Sequence, residues 1–299
     1  MNMLHISENS MVALQEVKSD LSGKFYWKFS SPNLERSTFH LLNINGKLLR
    51  PTLVFVGAES VGLNSLKFVN LATAIEYLHI SSLIHDDIID KDDMRRGIET
   101  VHKKYGIENA ILAGDALIAR AVSLSSVYGE NVVKKIAEAA FQMCDGESMD
   151  FCTQRRNVEM NLDNYLEIAR KKTASLISTS ISIAAISEKM DENITGRLAR
   201  AGEMLGIAFQ VRDDVINSIG SFELGKRPGN DDKKFNRPNI VSVMENGGES
   251  KKDAIEKSIN LMSSNVRNAI QELSEFEKIN YIKKIIAAYF SEEDLRKYL

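Results

Sequence analysis

The chain has 299 residues, with 38 Lys and Arg against 41 Asp and Glu, so its formal net charge is −3. This balance excludes a protein that binds nucleic acid through a strong basic excess. Hydrophobic residues make up 43% and charged residues 26%, which excludes disorder for most of the chain. No Gly-, Ser- or Pro-rich linker divides it into halves, so we expect one domain over residues 1–299.

The N-terminal segment and the cysteines both bear on the compartment. Glu8, Glu16 and Asp20 interrupt the first residues, which lack the apolar core of a signal peptide and resemble no transit peptide. Cys144 and Cys152 lie about 12 Å apart along a helix, too far for a disulfide. Free thiols fit a reducing compartment, so we expect a cytoplasmic protein.

The spacing of apolar residues predicts the fold class. No proline occurs between Thr52 and Arg227, an interval in which β or α/β folds would need turn chemistry. Apolar residues recur there every three or four positions, as at Leu71, Ala74 and Leu78. The sequence therefore predicts an all-α fold. Expected helix ends lie at Gly106, Gly129 and Gly146.

The first candidate site residues follow a glycine turn. Gly46-Lys47-Leu48-Leu49-Arg50-Pro51 carries two cations three positions apart, then a proline suited to the first turn of a helix. His79 lies seven residues before Asp86, on the same helix face, where an imidazole can donate to a phosphate oxygen. A core histidine with a satisfied hydrogen bond is the commoner explanation of one histidine taken alone.

The next segment is an acidic motif in an apolar helical run. Asp86 and Asp90 are four positions apart, so they share one helix face. Stacked carboxylates repel each other unless a cation lies between them, and their oxygens suit Mg²⁺. A solvated face is the usual explanation of one such pattern, but the apolar neighbours disfavour it here. Arg95 and Arg96 follow, and guanidinium groups bind phosphate oxygens bidentately.

Lys172 and Thr173 open an uncharged stretch, Thr173–Ser187, of 15 residues. A bilayer span needs about 20 residues, so we expect a buried helix here and no transmembrane segment. The ammonium and hydroxyl groups at its start are capable of phosphate contact.

A second acidic motif begins at Gln210 and repeats the spacing with Asp213, Asp214 and Asn217. Two metal-capable helix faces and two groups of cations indicate two anionic substrates. The basic segment Gly220–Pro238 that follows is either a functional loop or a solvated connector.

Taken in order, six motifs resemble those of the trans-isoprenyl diphosphate synthases, the polyprenyl synthetase family, and in particular its geranylgeranyl diphosphate synthases. They are GKLLRP, EYLHISSLIHDDIIDKDDMRRG, ILAGDAL, KT, AFQVRDD and LGKRPGND, from about Gly46 to Asn236. The resemblance implies ten or more helices around a deep central cavity, and usually a homodimer. It also implies Mg²⁺-assisted head-to-tail condensation of isopentenyl diphosphate with dimethylallyl, geranyl or farnesyl diphosphate.

The resemblance also implies a role for each matching residue. Asp86 and Asp90 would hold Mg²⁺ ions on the allylic diphosphate, and Asp213 a further one from across the cavity, three per active site. The other residues of that diphosphate site would be Arg95, Lys172, Thr173, Gln210 and Lys226. The isopentenyl diphosphate pocket would contain Gly46, Lys47, Arg50, His79 and Arg96. Metals and cations would neutralise the departing diphosphate, so no side-chain nucleophile is needed.

The chain departs from the family pattern at several places. Leu48 replaces a usual arginine, and Asn45 replaces a common glycine. Asn217 replaces the last aspartate of the second motif, which predicts weaker Mg²⁺ binding but not its loss. Phe235–Pro238 replaces a Gly-Lys-x-Thr-like turn, which makes closure of that loop the least secure expectation.

Product length is expected to depend on the residues before the first motif. Ser81 and Ser82 are small, whereas an aromatic side chain there would stop chain growth early. This favours geranylgeranyl diphosphate over farnesyl diphosphate and leaves products of C25 or longer open. Expected floor residues are Leu78, Tyr77 and Phe141.

Two other interpretations stay open. An HD-type phosphohydrolase would use His79 with His85-Asp86, but it also needs a distal histidine and aspartate. A weakly active or regulatory subunit would fit the weakened second motif. The charges retained at both motifs disfavour that interpretation.

Overall fold

The computed structural model describes residues 6–23, 28–44, 46–156, 160–219 and 239–290. These residues form helices joined by turns, with one two-stranded antiparallel hairpin, Met94–Arg95 (β1) and Ile98–Glu99 (β2). The predicted all-α fold with ten or more helices is confirmed.

The chain separates into two compact units by its internal packing. The first unit comprises Ile6–Ala140 and Ser180–Asp191. The second comprises the described parts of Phe141–Thr179 and Glu192–Leu299. The single domain expected over residues 1–299 stays a prediction.

The first unit is built around one long apolar helix. Its helices are α1 (Glu8–Gly23), α2 (Pro32–Leu42), α3 (Leu49–Ser60), α4 (Val69–Asp90), α5 (Val101–Tyr105) and α6 (Ile107–Ser125). Short 3₁₀ turns lie at Ser65–Phe68 and Ser126–Tyr128. Helix α4 packs against α1, α3, α5 and α6 and buries Leu71, Ile75 and Ile84 completely. Because α4 buries apolar residues along its whole length, the carboxylates that it also buries, Glu76, Asp87 and Asp90, stand out as candidates for function.

A buried carboxylate joins three elements of the first unit. Oε1 of Glu59, on α3, accepts hydrogen bonds from the hydroxyls of Ser10 (2.8 Å) and Ser65 (2.9 Å) and from that of Ser7. These bonds connect α1 and the Ser65–Phe68 turn to α3. Glu59 is only 8% exposed, so its hydroxyl donors replace the water that the charge loses on folding.

The second unit is organised by two long helices that pack together. Two of its helices, α7 (Glu130–Arg156) and α9 (Ser175–Ser187), also contribute residues to the first unit. Its other elements are α8 (Leu162–Ala169), the π-helical segment Arg170–Ala174, α10 (Glu192–Ile219), α11 (Ile240–Asn246), α12 (Lys251–Leu273) and α13 (Asn280–Tyr289). Helices α10 and α12 bury an apolar cluster that includes Val211, Val215, Ile255 and Ile259. This cluster fixes α10, which carries the second acidic motif.

The glycines confirm two expected helix ends and correct the third. Gly106 precedes α6 and Gly129 precedes α7, with φ angles of +88° and +96° that favour glycine. Gly146, in contrast, lies inside α7. A Cβ on Gly146 would lie 2.5 Å from the backbone nitrogen of Lys172. That position needs glycine for close approach of two backbones, so the predicted helix end there is wrong.

Two apolar segments bear on the membrane question. Most of Thr173–Ser187 is buried, as predicted. In the described part of the chain one helical stretch, Ile107–Tyr128, is long and apolar enough to cross a bilayer, with 39% of its apolar window buried. This is weak evidence for a span, because core helices of soluble proteins pass the same test. Cys144 and Cys152 are free thiols, as expected.

Candidate active site

A tight hairpin separates the two adjacent arginines. The turn between β1 and β2 has positive φ at Arg96 (52°) and Gly97 (85°), the combination found in two-residue type I′ turns. Left-handed backbone costs a non-glycine residue about 1–3 kcal/mol, so Arg96 is strained. Arg95 reaches Asp87 on α4, whereas the guanidinium of Arg96 packs against Gly46. The hairpin thus directs the two cations to different neighbours.

The three aspartates of the first motif differ in burial. Asp86 is partly exposed, Asp90 is 8% exposed and Asp87 is fully buried at the end of α4. Both Nε (2.7 Å) and Nη2 of Arg95 donate to Oδ1 of Asp87. Burial raises the pKa of Asp87, while its hydrogen bonds with Arg95 act against the rise. Sequence reasoning assigned Arg95 to a diphosphate and missed the carboxylate that holds it.

Two pairs among the residues expected in the isopentenyl diphosphate pocket lie close together in the first unit. Nη1 of Arg50 lies 3.1 Å from Nε2 of His79. A Cβ on Gly46 would lie 2.9 Å from Nη1 of Arg96, so the turn leaves space for that guanidinium. Lys47 is exposed.

His79 is held in its neutral form. Removal from water lowers its pKa well below 6.5, and the positive charges of Arg50, Arg96 and Arg95 lower the pKa further. Because a guanidinium only donates, Nε2 of the neutral ring accepts from Arg50 and the proton lies on Nδ1. His79 can therefore donate only through Nδ1 while this contact persists.

Glu76 is a member of this cluster that sequence reasoning missed. It lies one turn before His79 on α4 and is 2% exposed. Burial raises the pKa of Glu76, and the charges of Arg50 and Arg96 act in the opposite direction. A carboxylate in the middle of an apolar helical run was the available signal, since such a group is rarely buried without a partner.

The second motif also pairs an open aspartate with a buried one. The side chain of Asp213 is 34% exposed, and its Oδ1 accepts from Nη1 of Arg212 at 3.1 Å. Asp214 is 5% exposed and accepts hydrogen bonds from Tyr165 and Gln210. Asn217 follows Asp213 by one turn of α10 and is partly exposed. The first aspartate of each motif is therefore the more open one.

Lys172 and Thr173 lie in the π-helical segment, which continues the helix from α8 into α9. The expected helix start at Lys172 is therefore wrong, because helical hydrogen bonding runs through this point. Local π-helical turns are frequent at functional sites. Nζ of Lys172 lies 2.5 Å from Glu147 and 2.7 Å from Asp150, two carboxylates of α7 that sequence reasoning missed.

The donor set fits Mg²⁺ shared with a phosphate group. Asp86 and Asp90 offer carboxylate oxygens one turn apart on α4, as Asp213 and Asn217 offer oxygens on α10. Within the described ranges, no group of three His, Cys, Asp or Glu side chains converges. Mg²⁺ is usually bound by one or two carboxylates together with substrate phosphates, so these pairs match its preference.

The residues expected to limit product length differ in exposure. Tyr77 (1%), Leu78 (3%) and Ser81 (1%) are buried on α4. Ser82 is partly exposed, and Phe141 on α7 is 65% exposed. Burial raises the pKa of Tyr77 to about 12, so its phenol stays protonated.

Three expectations lie outside the described residues. They concern Lys226 in the basic segment Gly220–Pro238, the replacement at Asn45, and the turn at Phe235–Pro238.

The all-α fold, the two helices with paired aspartates and the clustered cations define a class of helical protein suited to diphosphate ligands. Residues 31–276 match the family described as polyprenyl synthetase, so the chain belongs to that family, as the sequence motifs predicted.

Relatives of known name lie within the same family. The chain is 41% identical over 204 residues to the geranylgeranyl pyrophosphate synthase of Geoglobus acetivorans, a match that covers 66% of this chain and 64% of that protein. It is 33% identical over 270 residues to the geranylgeranyl diphosphate synthase of Methanosarcina mazei, covering 87% of this chain and 81% of that one.

Solved structures agree with this placement. The geranylgeranyl pyrophosphate synthetase of Geoglobus acetivorans superposes with a TM-score of 0.83 at 28% identity, covering 95% of this chain and 96% of the other. The heptaprenyl diphosphate synthase of Staphylococcus aureus gives 0.82 at 26% identity, covering 98% of each chain. Synthases whose names give different product lengths therefore share this fold.

Proposed function

We propose that this polyprenyl synthetase family member is a trans-prenyltransferase that condenses isopentenyl diphosphate with an allylic diphosphate and makes geranylgeranyl diphosphate. The observation that carries the proposal is the hairpin of the first unit. It directs Arg95 to Asp87 of the acidic motif, while the guanidinium of Arg96 lies against Gly46 and acts with Arg50 on the pKa of His79, so two groups of cations are available for two diphosphates. The names of the relatives support the same activity.

The chemistry needs stabilisation of a leaving group. Breaking the carbon–oxygen bond of an allylic diphosphate places negative charge on the departing diphosphate, and preorganised cations stabilise that charge in the transition state. Arg95, Lys172 and Lys226 serve this role. Mg²⁺ held by Asp86, Asp90 and Asp213, three ions in all, supplies further charge neutralisation when bound. Thr173 and Gln210 line the same diphosphate site.

The second substrate occupies the other group of cations. Gly46, Lys47, Arg50, His79 and Arg96 bind isopentenyl diphosphate. His79 contributes a neutral donor, because the arginines around it oppose its protonation. The double bond of isopentenyl diphosphate then forms a carbon–carbon bond with the allylic cation, and the resulting carbocation loses a proton to the released diphosphate, which restores a double bond.

Product analysis tests this function directly. The purified protein is incubated with isopentenyl diphosphate, Mg²⁺ and each of dimethylallyl, geranyl and farnesyl diphosphate, and products are sized by chromatography. We expect a C20 product. Release of inorganic phosphate from phosphoesters without any condensation would instead favour an HD-type phosphohydrolase. Condensation that occurs only after a second synthase is added would favour the interpretation of this chain as a weakly active or regulatory subunit.

Product length is proposed to depend on the buried face of α4 near Ser81 and Ser82, with Leu78, Tyr77 and Phe141 as floor residues. The burial of Leu78 and Tyr77 supports this assignment, and Ser81 on the same helix is buried and small. Leu78→Ala removes a buried side chain and should lengthen the product. An unchanged product would remove Leu78 from the floor, and a C25 product from the wild type would favour the longer-chain alternative.

We also propose a cytoplasmic homodimer that pairs through α6. Large apolar side chains on that helix, among them Ile111 and Leu112, are exposed in the single chain. Exposed apolar patches of this kind mark interaction surfaces. Leu112→Glu should dissociate the dimer in sedimentation experiments. Met11→Glu, which changes an exposed apolar residue on α1, should not.

A further inference from the structure

Asp214 accepts hydrogen bonds from α8, α10 and the start of α11 in the interior of the second unit. The phenol of Tyr165 donates to Oδ2 at 2.7 Å, and the backbone N–H of Ile240 donates to the same oxygen at 3.0 Å. Nε2 of Gln210 donates to Oδ1 at 2.9 Å. Hydrogen bonds to an ionised carboxylate are stronger than those between neutral groups. Asp214 therefore connects α8, α10 and the start of α11 while facing away from solvent.

The bond to Gln210 fixes the direction of its amide. Nε2 donates to Asp214, and Oε1 on the other side accepts from Oγ1 of Thr173 at 2.9 Å. A rotated amide would place its oxygen against the carboxylate, where two acceptors would face each other, and would remove the oxygen to which the Thr173 hydroxyl donates. The carboxylate at 214 thus determines which atoms of Gln210 and Thr173 remain available to a ligand.

We propose that Asp214 is a positioning residue for the allylic diphosphate subsite, acting through Gln210 and Thr173 without touching the substrate. The inference rests on the proposed function, which assigns Thr173 and Gln210 to that subsite. Asp214 holds the amide of Gln210 in one orientation before substrate arrives, so less ordering is needed on binding. The isopentenyl diphosphate pocket contains none of these residues, so the effect is specific to one substrate.

The test compares two substrates in one variant, after condensation by the wild type has been established. Asp214→Asn places an amide where three donors converge, so at least one donor loses its acceptor. We expect KM for the allylic diphosphate to rise about tenfold, the size expected for one charged hydrogen bond, and KM for isopentenyl diphosphate to stay within about twofold. The dissociation constant of an allylic thiolodiphosphate, measured by calorimetry, should rise by the same factor.

Glu59→Gln is the matched control, because Glu59 is also a buried carboxylate that accepts from three hydroxyls. It should lower the unfolding temperature and leave both KM values unchanged. Equal shifts of both KM values in a folded Asp214→Asn variant, or no shift, would overturn the inference. Failure of the wild type to condense would overturn the proposed function instead.

A milder pair covers the case in which Asp214→Asn does not fold. Tyr165→Phe removes one donor to Asp214, and Tyr128→Phe removes a phenol that donates to the carbonyl of Lys67 at 2.8 Å. Tyr165→Phe should raise the dissociation constant of the thiolodiphosphate about threefold, and Tyr128→Phe should not change it. Equal effects of the two variants would contradict the role of Asp214.

Discussion

The two acidic motifs bury their second aspartates in different ways. Asp87 has lost all contact with solvent and faces the guanidinium of Arg95. Asp214 is nearly as buried, and it accepts hydrogen bonds from Tyr165, Gln210 and a backbone N–H. The buried aspartate of the first motif thus bonds a guanidinium, whereas that of the second accepts from a phenol, an amide and a backbone N–H.

This difference teaches what each motif can supply to a substrate. The ion pair with Asp87 keeps the guanidinium of Arg95 close to Asp86 and Asp90, where a diphosphate can also bind it. The carboxylate of Asp214 accepts from the amide of Gln210, whose oxygen in turn accepts from Thr173, so it orients other polar groups. The first motif is therefore the greater source of charged groups for a substrate, whereas the buried aspartate of the second motif fixes the orientation of an amide.

The largest effect should come from the open aspartates. Asp86→Ala should lower kcat by about a thousandfold, because charge stabilisation of the leaving diphosphate is lost. Asp213→Ala should lower kcat by about a hundredfold. It removes the proposed Mg²⁺ ligand of the second motif, and Asn217 offers no carboxylate to replace it. Steady-state rates at saturating Mg²⁺ measure both effects.

Asp163→Ala, at an exposed aspartate in the first turn of α8, is the control and should retain full activity. A greater loss in Asp213→Ala than in Asp86→Ala would reverse the assignment of charge binding to the first motif.

The next largest effect should be on the free energy of unfolding, which should differ between variants of the two buried aspartates. Asp87→Asn leaves Arg95 facing a neutral group and should lower the free energy of unfolding by about 3 kcal/mol. Asp214→Asn should lower it by about 1–2 kcal/mol, because the hydrogen bonds from Tyr165, Gln210 and Ile240 are weakened. Urea unfolding at low and high salt measures both variants. Salt should reduce the cost at Asp87, since Arg95 is partly exposed.

The double variant Asp87→Asn/Arg95→Leu provides the control for the ion pair. It should recover part of the stability, because no unpartnered guanidinium remains. Additive losses in the double variant would contradict a direct interaction between the two side chains.

Sequence spacing was enough to predict which residues share a helix face, and it failed for partners that are distant along the chain. The four-residue interval between Asp86 and Asp90 is a local property of any helix. The contacts of Asp214 with Tyr165 and Ile240 span 49 and 26 positions, so they depend on how helices pack. The burial of Asp87 and Asp214 was therefore not predictable from the motifs.

The hairpin and the helix interior show two further limits. Strands of two residues are too short for any period-two pattern, although Gly97 after Arg96 was a signal of a tight turn. Gly146 is typical of helix ends, yet here the glycine permits α7 to approach the backbone at Lys172. Local preference was overridden by packing at Gly146, whereas in the hairpin it agreed with the turn that the structure shows.

A smaller effect is the pH dependence of stability that His79 causes in the first unit. The pKa of His79 is lowered in the folded protein, so the unfolded chain binds the proton more readily below about pH 6.5. Stability is therefore complete above that pH and falls as the pH drops from 7 towards 5. Thermal unfolding of the wild type and His79→Gln should converge on acidification, because the variant lacks this group. Parallel curves for the two proteins would contradict a neutral His79.

The smallest effect should come from restoring the missing carboxylate of the second motif. Asn217 lies one turn after Asp213 on α10, where an amide oxygen is a weaker ligand for Mg²⁺ than a carboxylate. Asn217→Asp should lower the Mg²⁺ concentration for half-maximal rate about threefold and leave kcat nearly unchanged, because the proposed direct ligand is already present. Asn265→Asp makes the same chemical change on α12 and should leave the Mg²⁺ dependence as it is. A Mg²⁺ titration that does not move in Asn217→Asp would show that only the first aspartate of this motif meets the metal, and would sharpen the contrast with α4.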